Sequence, residues 1–276
     1  MFPVLFKVGF ITIYSYGFFL TLAYIAGTFI LWREGKRQGY QVEKLLDLSL
    51  IALVAALLGG RVYFSLSHLN LLQENFLSAL AFWEGGLSFY GAFFGVFVAG
   101  FLVTKRWKWP FFQVADFAAL SGLAAFSIVK VGTFFAGTDL GTPADVPWAM
   151  EFPNILSARH PVQLYEAAFA FSLLFIMKKV YENNLKSAEI KSGKVFLHSI
   201  LLLSTARLFF EFFRADSTYI FGIKSVQIIS LLVAIVSAIA LYCFRYREAK
   251  KDLESFLKLV LSVNSRVLNR LNLRLK

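Results

Sequence analysis

Long apolar runs alternate with short polar intervals along this chain, and the runs have the length of membrane spans. Seven segments qualify: 9–32, 46–66, 87–104, 113–136, 162–178, 195–213 and 223–244. A helix that crosses the hydrocarbon core needs about 20 mostly apolar residues. The pattern therefore predicts an all-α, polytopic membrane protein with seven transmembrane helices. The fifth run is the shortest, and it spans only if Gln163 to Glu166 sit near its end. No basic region precedes the first apolar run and no small-residue cleavage pattern follows it, so it reads as a retained span rather than a signal peptide.

The polar intervals supply the orientation. Of the 28 Lys and Arg residues, 21 fall into four clusters, one after every second span: Arg33 to Lys44, Lys105 to Lys108, Lys178 to Lys194 and Arg245 to Lys276. The opposite intervals hold only Lys7, Arg159, Arg214 and Lys224. Cytoplasmic loops carry the excess of cations, which predicts an external N-terminus and a cytoplasmic C-terminus. Residues 1–249 form the seven-helix domain, with outer loops at 67–86 and 137–161. Residues 250–276 place Leu253, Phe256, Leu257, Val260, Val267, Leu268 and Leu271 near one helical stripe among cations. That reads as a basic amphipathic helix, lying on the anionic leaflet or packed on the bundle.

Composition agrees with a bilayer as solvent: 58% of residues are hydrophobic and 16% charged. The net charge of +11 could suggest a nucleic-acid partner, but the cations form no single patch, so membrane lipids are expected instead and no nucleic acid. The lone Cys243 rules out an intrachain disulfide framework.

Several charges stand in the wrong solvent. Arg61, Lys130 and Arg207 lie in or beside apolar spans, and Asp116, Glu166, Glu211 and Arg214 accompany them. Charges at membrane depth are costly and usually mark a site. Arg207 and Glu211 are four apart and share a helix face, with Arg214 near the same face. One reading is an internal ion pair that staples helices while Arg214 snorkels outward. The other is a set of cations that repel one another unless an anion joins them. A phosphate suits guanidinium forks. Gly91 and Gly95 read as a close-packing helix face, and Gly85-Gly86 as a break or cap.

These residues carry a resemblance. Tyr14-Ser15-Tyr16-Gly17, Gly59-Gly60-Arg61, Trp83-Glu84-Gly85-Gly86-Leu87-Ser88-Phe89-Tyr90-Gly91, Asp116-Phe117 and Lys130-Val131-Gly132 occur in order. Arg159-His160-Pro161-Val162-Gln163-Leu164-Tyr165-Glu166-Ala167, Arg207-Leu208-Phe209-Phe210-Glu211-Phe212-Phe213-Arg214, and Ser225 with Gln227 follow. The set resembles the prolipoprotein diacylglyceryl transferases, and the last two long segments are its specific part. The resemblance implies transfer of a diacylglyceryl group from phosphatidylglycerol to the lipobox cysteine thiol of a prelipoprotein, with glycerol phosphate leaving. The setting is the bacterial cytoplasmic membrane, with a site open to the outer leaflet and no cofactor or metal.

By that resemblance Arg207 binds the lipid phosphate, with Lys130 and Tyr90 completing the catalytic set. Arg61 helps hold the headgroup, Tyr16 and Gln163 line the cavity, and Glu166 and Glu211 orient the cations. His160, Tyr165 and Arg214 join the substrate-binding set. The chain departs from the family at Tyr90, where His is common. It also reads Val129-Lys130-Val131-Gly132-Thr133-Phe134 where Gly-Arg-x-Gly-Asn-Phe is usual. Thr138 stands where an acid is usual, with Asp139 adjacent. Two readings stay open: an active transferase, or a paralogue that binds phospholipid or lipoprotein precursors, or modifies another lipid.

Overall fold

The computed structural model describes residues 2–9, 11–67, 86–152, 155, 157–187, 191–215, 219–220, 223–244 and 250. The expected tail helix and the outer loop at 67–86 lie outside the described residues, apart from Ser67, Gly86 and Lys250. Among the described residues, seven long helices make up the body. They are α1 (Ser15–Arg37), α2 (Val42–Ser67), α3 (Phe89–Arg106), α4 (Phe111–Ala136), α5 (Val162–Leu185), α6 (Lys194–Phe210) and α7 (Ser225–Phe244).

All but α5 are long and apolar enough to cross a membrane. α5 has the length, about 36 Å for its 24 residues, but it carries Gln163, Glu166, Lys178, Lys179 and Glu182. It compensates by packing along α4. Ile25, Leu58, Phe94, Leu102, Phe175 and Val236 are each more than half exposed. Apolar surface on that scale fits lipid rather than water, so the chain is an all-α polytopic membrane protein.

The first apolar run does not become helical at residue 9. Val4–Val8 (β1) and Ile11–Tyr14 (β2) pair as an antiparallel hairpin, and α1 starts only at Ser15. Ile11, Thr12 and Ile13 are β-branched and favour a strand. Gly9 makes the turn at φ +59°. The hairpin is tied to the helix start by the Ser15 N–H, which donates to the Pro3 carbonyl at 2.9 Å.

α4 is the central helix, packed along α1, α5 and α6, while α2 lies along α3. The α2–α3 contact is backbone against backbone. A Cβ on Gly59 would strike the Gly91 carbonyl, and one on Gly95 the Ala55 carbonyl. The close-packing role expected of Gly91 and Gly95 is therefore what the helices display.

The two ends of the bundle differ. Toward the basic intervals, Leu31, Leu45, Phe117, Leu120, Met177 and Val195 form an apolar core. There the Asp116 carboxylate accepts the Gly193 and Phe196 N–H groups, both at 2.8 Å. It thus caps the start of α6, where helical N–H groups lack partners. The opposite end, where α4 and α6 finish and α1 and α5 begin, is polar. The described residues of the 137–161 segment are held there by single antiparallel bridges between Gly141 and Arg214, Pro143 and Arg159, and Met150 and Arg159.

Candidate active site

Three helices bring charge to that polar end. Lys130 lies six residues before the last residue of α4, Glu166 one turn into α5, and Arg207 three residues before the end of α6. The Glu166 carboxylate is 3% exposed and is shared between the other two. Arg207 Nη1 donates to its Oε1, and Lys130 Nζ stands 2.7 Å from its Oε2.

A second carboxylate extends the network. Asp139 takes Lys130 Nζ on one oxygen at 2.7 Å and Arg214 Nη2 on the other at 3.0 Å. Arg214 Nε is 3.9 Å from the fully buried Glu211 carboxylate. Lys224 Nζ closes this end by donating to the Glu211 carbonyl at 2.6 Å and the Arg214 carbonyl at 2.7 Å.

The backbone places Asp139. α4 stops at Ala136, and Gly137 follows in the left-handed region at φ 73°. A side chain is strained there and glycine is not. Asp139 then takes φ 60°, which aspartate tolerates better than most residues. The two turns fold the chain back over the end of α4. Burial alone would push the Asp139 carboxyl up, but Lys130 and Arg214 outweigh burial and hold it well below the usual carboxylate range.

The protein's own carboxylates thus neutralise these cations. The sequence suggested cations that need an anion to join them. In the fold Lys130 and Arg207 are already joined by Glu166, and Asp139 and Glu211 serve Arg214. Nor does Arg207 pair with Glu211, four residues on. The chain tightens into a 3-10 turn over Glu211–Phe213, and Arg207 reaches across to α5 instead. Arg61 is 4% exposed, and its described contacts are the Gly86 carbonyl at 3.4 Å and the Phe64 ring at 5.5 Å. Those contacts lie on the α2–α3 side and do not join it to the Glu166 cluster.

The neutral residues divide. Tyr90 lies within electrostatic range of Arg207. Its hydroxyl is 3.4 Å from Ser230 Oγ and 3.5 Å from the Val226 carbonyl of α7. Tyr16 lies within range of Asp139. Gln163 is fully buried and donates to the Thr138 carbonyl beside Asp139. His160 and Tyr165 belong to an aromatic rim. Their side chains meet at 3.3 Å, the Trp148 indole donates to the Tyr165 hydroxyl at 2.7 Å, and Phe213 packs edge-on against His160.

The sequence marked Asp139 only as the acid beside Thr138 and Lys224 only as a cation between spans, and it did not mark Ser230; none of the three was assigned a site role. For Asp139 that adjacency was the signal, since it lies just past the helix that carries Lys130. Lys224 and Ser230 gave none.

The cluster is oriented yet retains capacity. Among the described residues, Arg207 Nε and Gln163 Oε1 are buried without a hydrogen-bond partner. A guanidinium fixed by a carboxylate, with donors to spare, can hold a phosphate oxygen without first reorganising.

Comparison with known proteins identifies the family of the chain. The sequence model of the prolipoprotein diacylglyceryl transferases matches residues 3–243. The chain is 32% identical over 216 residues to a phosphatidylglycerol–prolipoprotein diacylglyceryl transferase of Geobacter sulfurreducens, covering 77% of this chain and 82% of the relative. It is 30% identical over 268 residues to the protein of that name in Wolbachia pipientis, covering 91% and 98%. A Nostoc protein of the same name is 28% identical over 238 residues, covering 83% and 84%.

Proposed function

The chain belongs to the prolipoprotein diacylglyceryl transferase family, and from that premise we propose that it lipidates prolipoproteins. It transfers the diacylglyceryl group of phosphatidylglycerol to the cysteine thiol of its protein substrate and releases glycerol phosphate. It is a membrane-embedded transferase of lipoprotein maturation.

The chemistry sets the requirements. The substrate sulfur, as thiolate, attacks the glyceryl carbon that bears the phosphate ester. A carbon–sulfur bond forms and the carbon–oxygen bond to phosphate breaks. The electron pair stays on the phosphate, and the thiol proton goes to an acceptor. A free thiol has a pKa near 8.5, and only its thiolate is nucleophilic. Negative charge grows on the leaving phosphate, so fixed cations supply the largest stabilisation.

The observation that supports a role for Arg207 is its half-used fork: one arm is bound to Glu166, and Nε has no partner among the described residues. In this reading Arg207 grips the phosphate, and Glu166 fixes its angle and that of Lys130. Asp139 holds Lys130 and Arg214, and Tyr90 donates a hydrogen bond to the phosphate. Lysine at 130 keeps the charge but not the planar fork of arginine. The cluster stands at the end of the bundle away from the basic intervals. That supports a site facing the outer leaflet of the bacterial cytoplasmic membrane, where a lipobox cysteine emerges.

The test is rescue. The full chain, expressed in bacteria depleted of their own transferase, is expected to restore growth and to add a diacylglyceryl mass to a reporter lipoprotein. Stable expression in the membrane without that mass would contradict the proposal.

A further inference from the structure

The site contains an acceptor that the reaction outlined above does not use. Gln163 has no measurable exposure. Its Nε2 donates to the Thr138 carbonyl. That bond fixes which way the amide faces, because a flipped amide would set two acceptor oxygens against each other. Oε1 must then point elsewhere, and it finds no donor among the described residues. A buried amide oxygen without a donor is costly, so its position implies a donor that arrives with substrate.

The surroundings restrict what that donor is. Gln163 lies one helical turn before Glu166, and Thr138, its partner, precedes Asp139. Its helix and its hydrogen bond thus bring it next to the two residues, Glu166 and Asp139, whose carboxylates hold Lys130, Arg207 and Arg214. An ammonium headgroup would bring another positive charge to that cluster, and a choline headgroup has no donor. A hydroxyl supplies a donor without charge.

We propose that Gln163 selects the lipid by its headgroup, with Oε1 accepting a hydrogen bond from a hydroxyl of the headgroup glycerol. This rests on the transferase reading. The glycerol leaves with the phosphate, so the bond holds the same fragment before and after transfer. Sites built to bond a substrate hydroxyl reject analogues lacking it far better than apolar pockets discriminate by size.

The test compares two lipids in purified full-length protein, with a lipobox peptide as acceptor. One is phosphatidylglycerol and the other carries an n-propyl headgroup without hydroxyls, each diluted into phosphatidylcholine vesicles. Wild-type kcat/KM is expected to favour phosphatidylglycerol by roughly tenfold. Gln163→Leu is expected to shrink that ratio to about twofold, and so is Gln163→Met, which keeps the length of the side chain without its amide. If Gln163→Leu does not fold, as read by its melting temperature, the wild-type ratio and Gln163→Met still decide. An unchanged ratio in folded Gln163→Leu, or no preference in the wild type, overturns the inference. So does an effect confined to the KM for the peptide, which would assign the oxygen to a peptide N–H. Wild-type protein that transfers from neither lipid contradicts the transferase reading itself, and the inference falls with it.

Discussion

Arg207 near the end of α6 bonds the Glu166 carboxylate near the start of α5, and that carboxylate's other oxygen holds Lys130 of α4. One anion therefore ties three helices together at the polar end of the bundle. Glu166 is at once a structural staple and the residue that aims the two cations.

We predict that Glu166→Gln is more damaging than its near-identical shape suggests. It leaves two buried cations facing each other without their shared anion, and breaking such a pair typically costs about 3–5 kcal/mol. The expected result is a lower melting temperature in detergent and at least a hundredfold loss of transfer. Wild-type stability together with wild-type turnover would mean the carboxylate is dispensable.

Lys130→Arg is expected to be tolerated, with transfer within about tenfold of wild type. The charge stays, and the planar fork can still meet Asp139 and Glu166. Lys130→Met removes the charge and is expected to abolish most transfer. Loss of activity in the arginine variant as severe as in the methionine variant would show a pocket rebuilt around lysine.

Tyr90→Phe separates chemistry from packing. The hydroxyl sits between Ser230, Val226 and the field of Arg207. Its removal should lower kcat by roughly tenfold, the worth of one hydrogen bond to a charged group, and leave lipid binding near wild type. Equal kcat in the two proteins would reduce Tyr90 to a packing role.

Asp139 gives a pH signature. Its carboxyl is held below the ordinary value of 3.8 when folded. A depressed pKa adds stability that is fully present above the unfolded value and is lost as pH falls toward the folded one. The melting-temperature gap between wild type and Asp139→Asn should therefore be constant above about pH 5 and narrow below about pH 4. A gap that stays constant down to pH 3 would detach Asp139 from the ion network.

Much of this was legible in the sequence, for identifiable reasons. Lys130, Glu166 and Arg207 announced themselves because charge in an apolar run is rare. Their pairing did not. The spacing of Arg207 and Glu211 pointed to a contact within one helix, but the 3-10 turn at Glu211 ended that register and the partner came from α5. Asp139 was noted beside Thr138, but its role was hidden because it depends on two left-handed residues and on Arg214, 75 residues away. The β1–β2 hairpin was hidden because its apolar residues merged with those of α1. Arg61 was legible as a buried cation, but its described contacts lie on the α2–α3 side.

In the proposed reaction a guanidinium held by Glu166 grips the lipid phosphate during transfer to a thiol. The most direct measurement is the mass of a lipobox peptide incubated with purified Arg207→Ala protein in phosphatidylglycerol vesicles, beside wild type. Wild type is expected to give a diacylglyceryl adduct and the variant a loss of about a thousandfold, from a removed transition-state contact of about 4 kcal/mol. Adduct formation at the wild-type rate by folded Arg207→Ala protein would contradict the proposed grip.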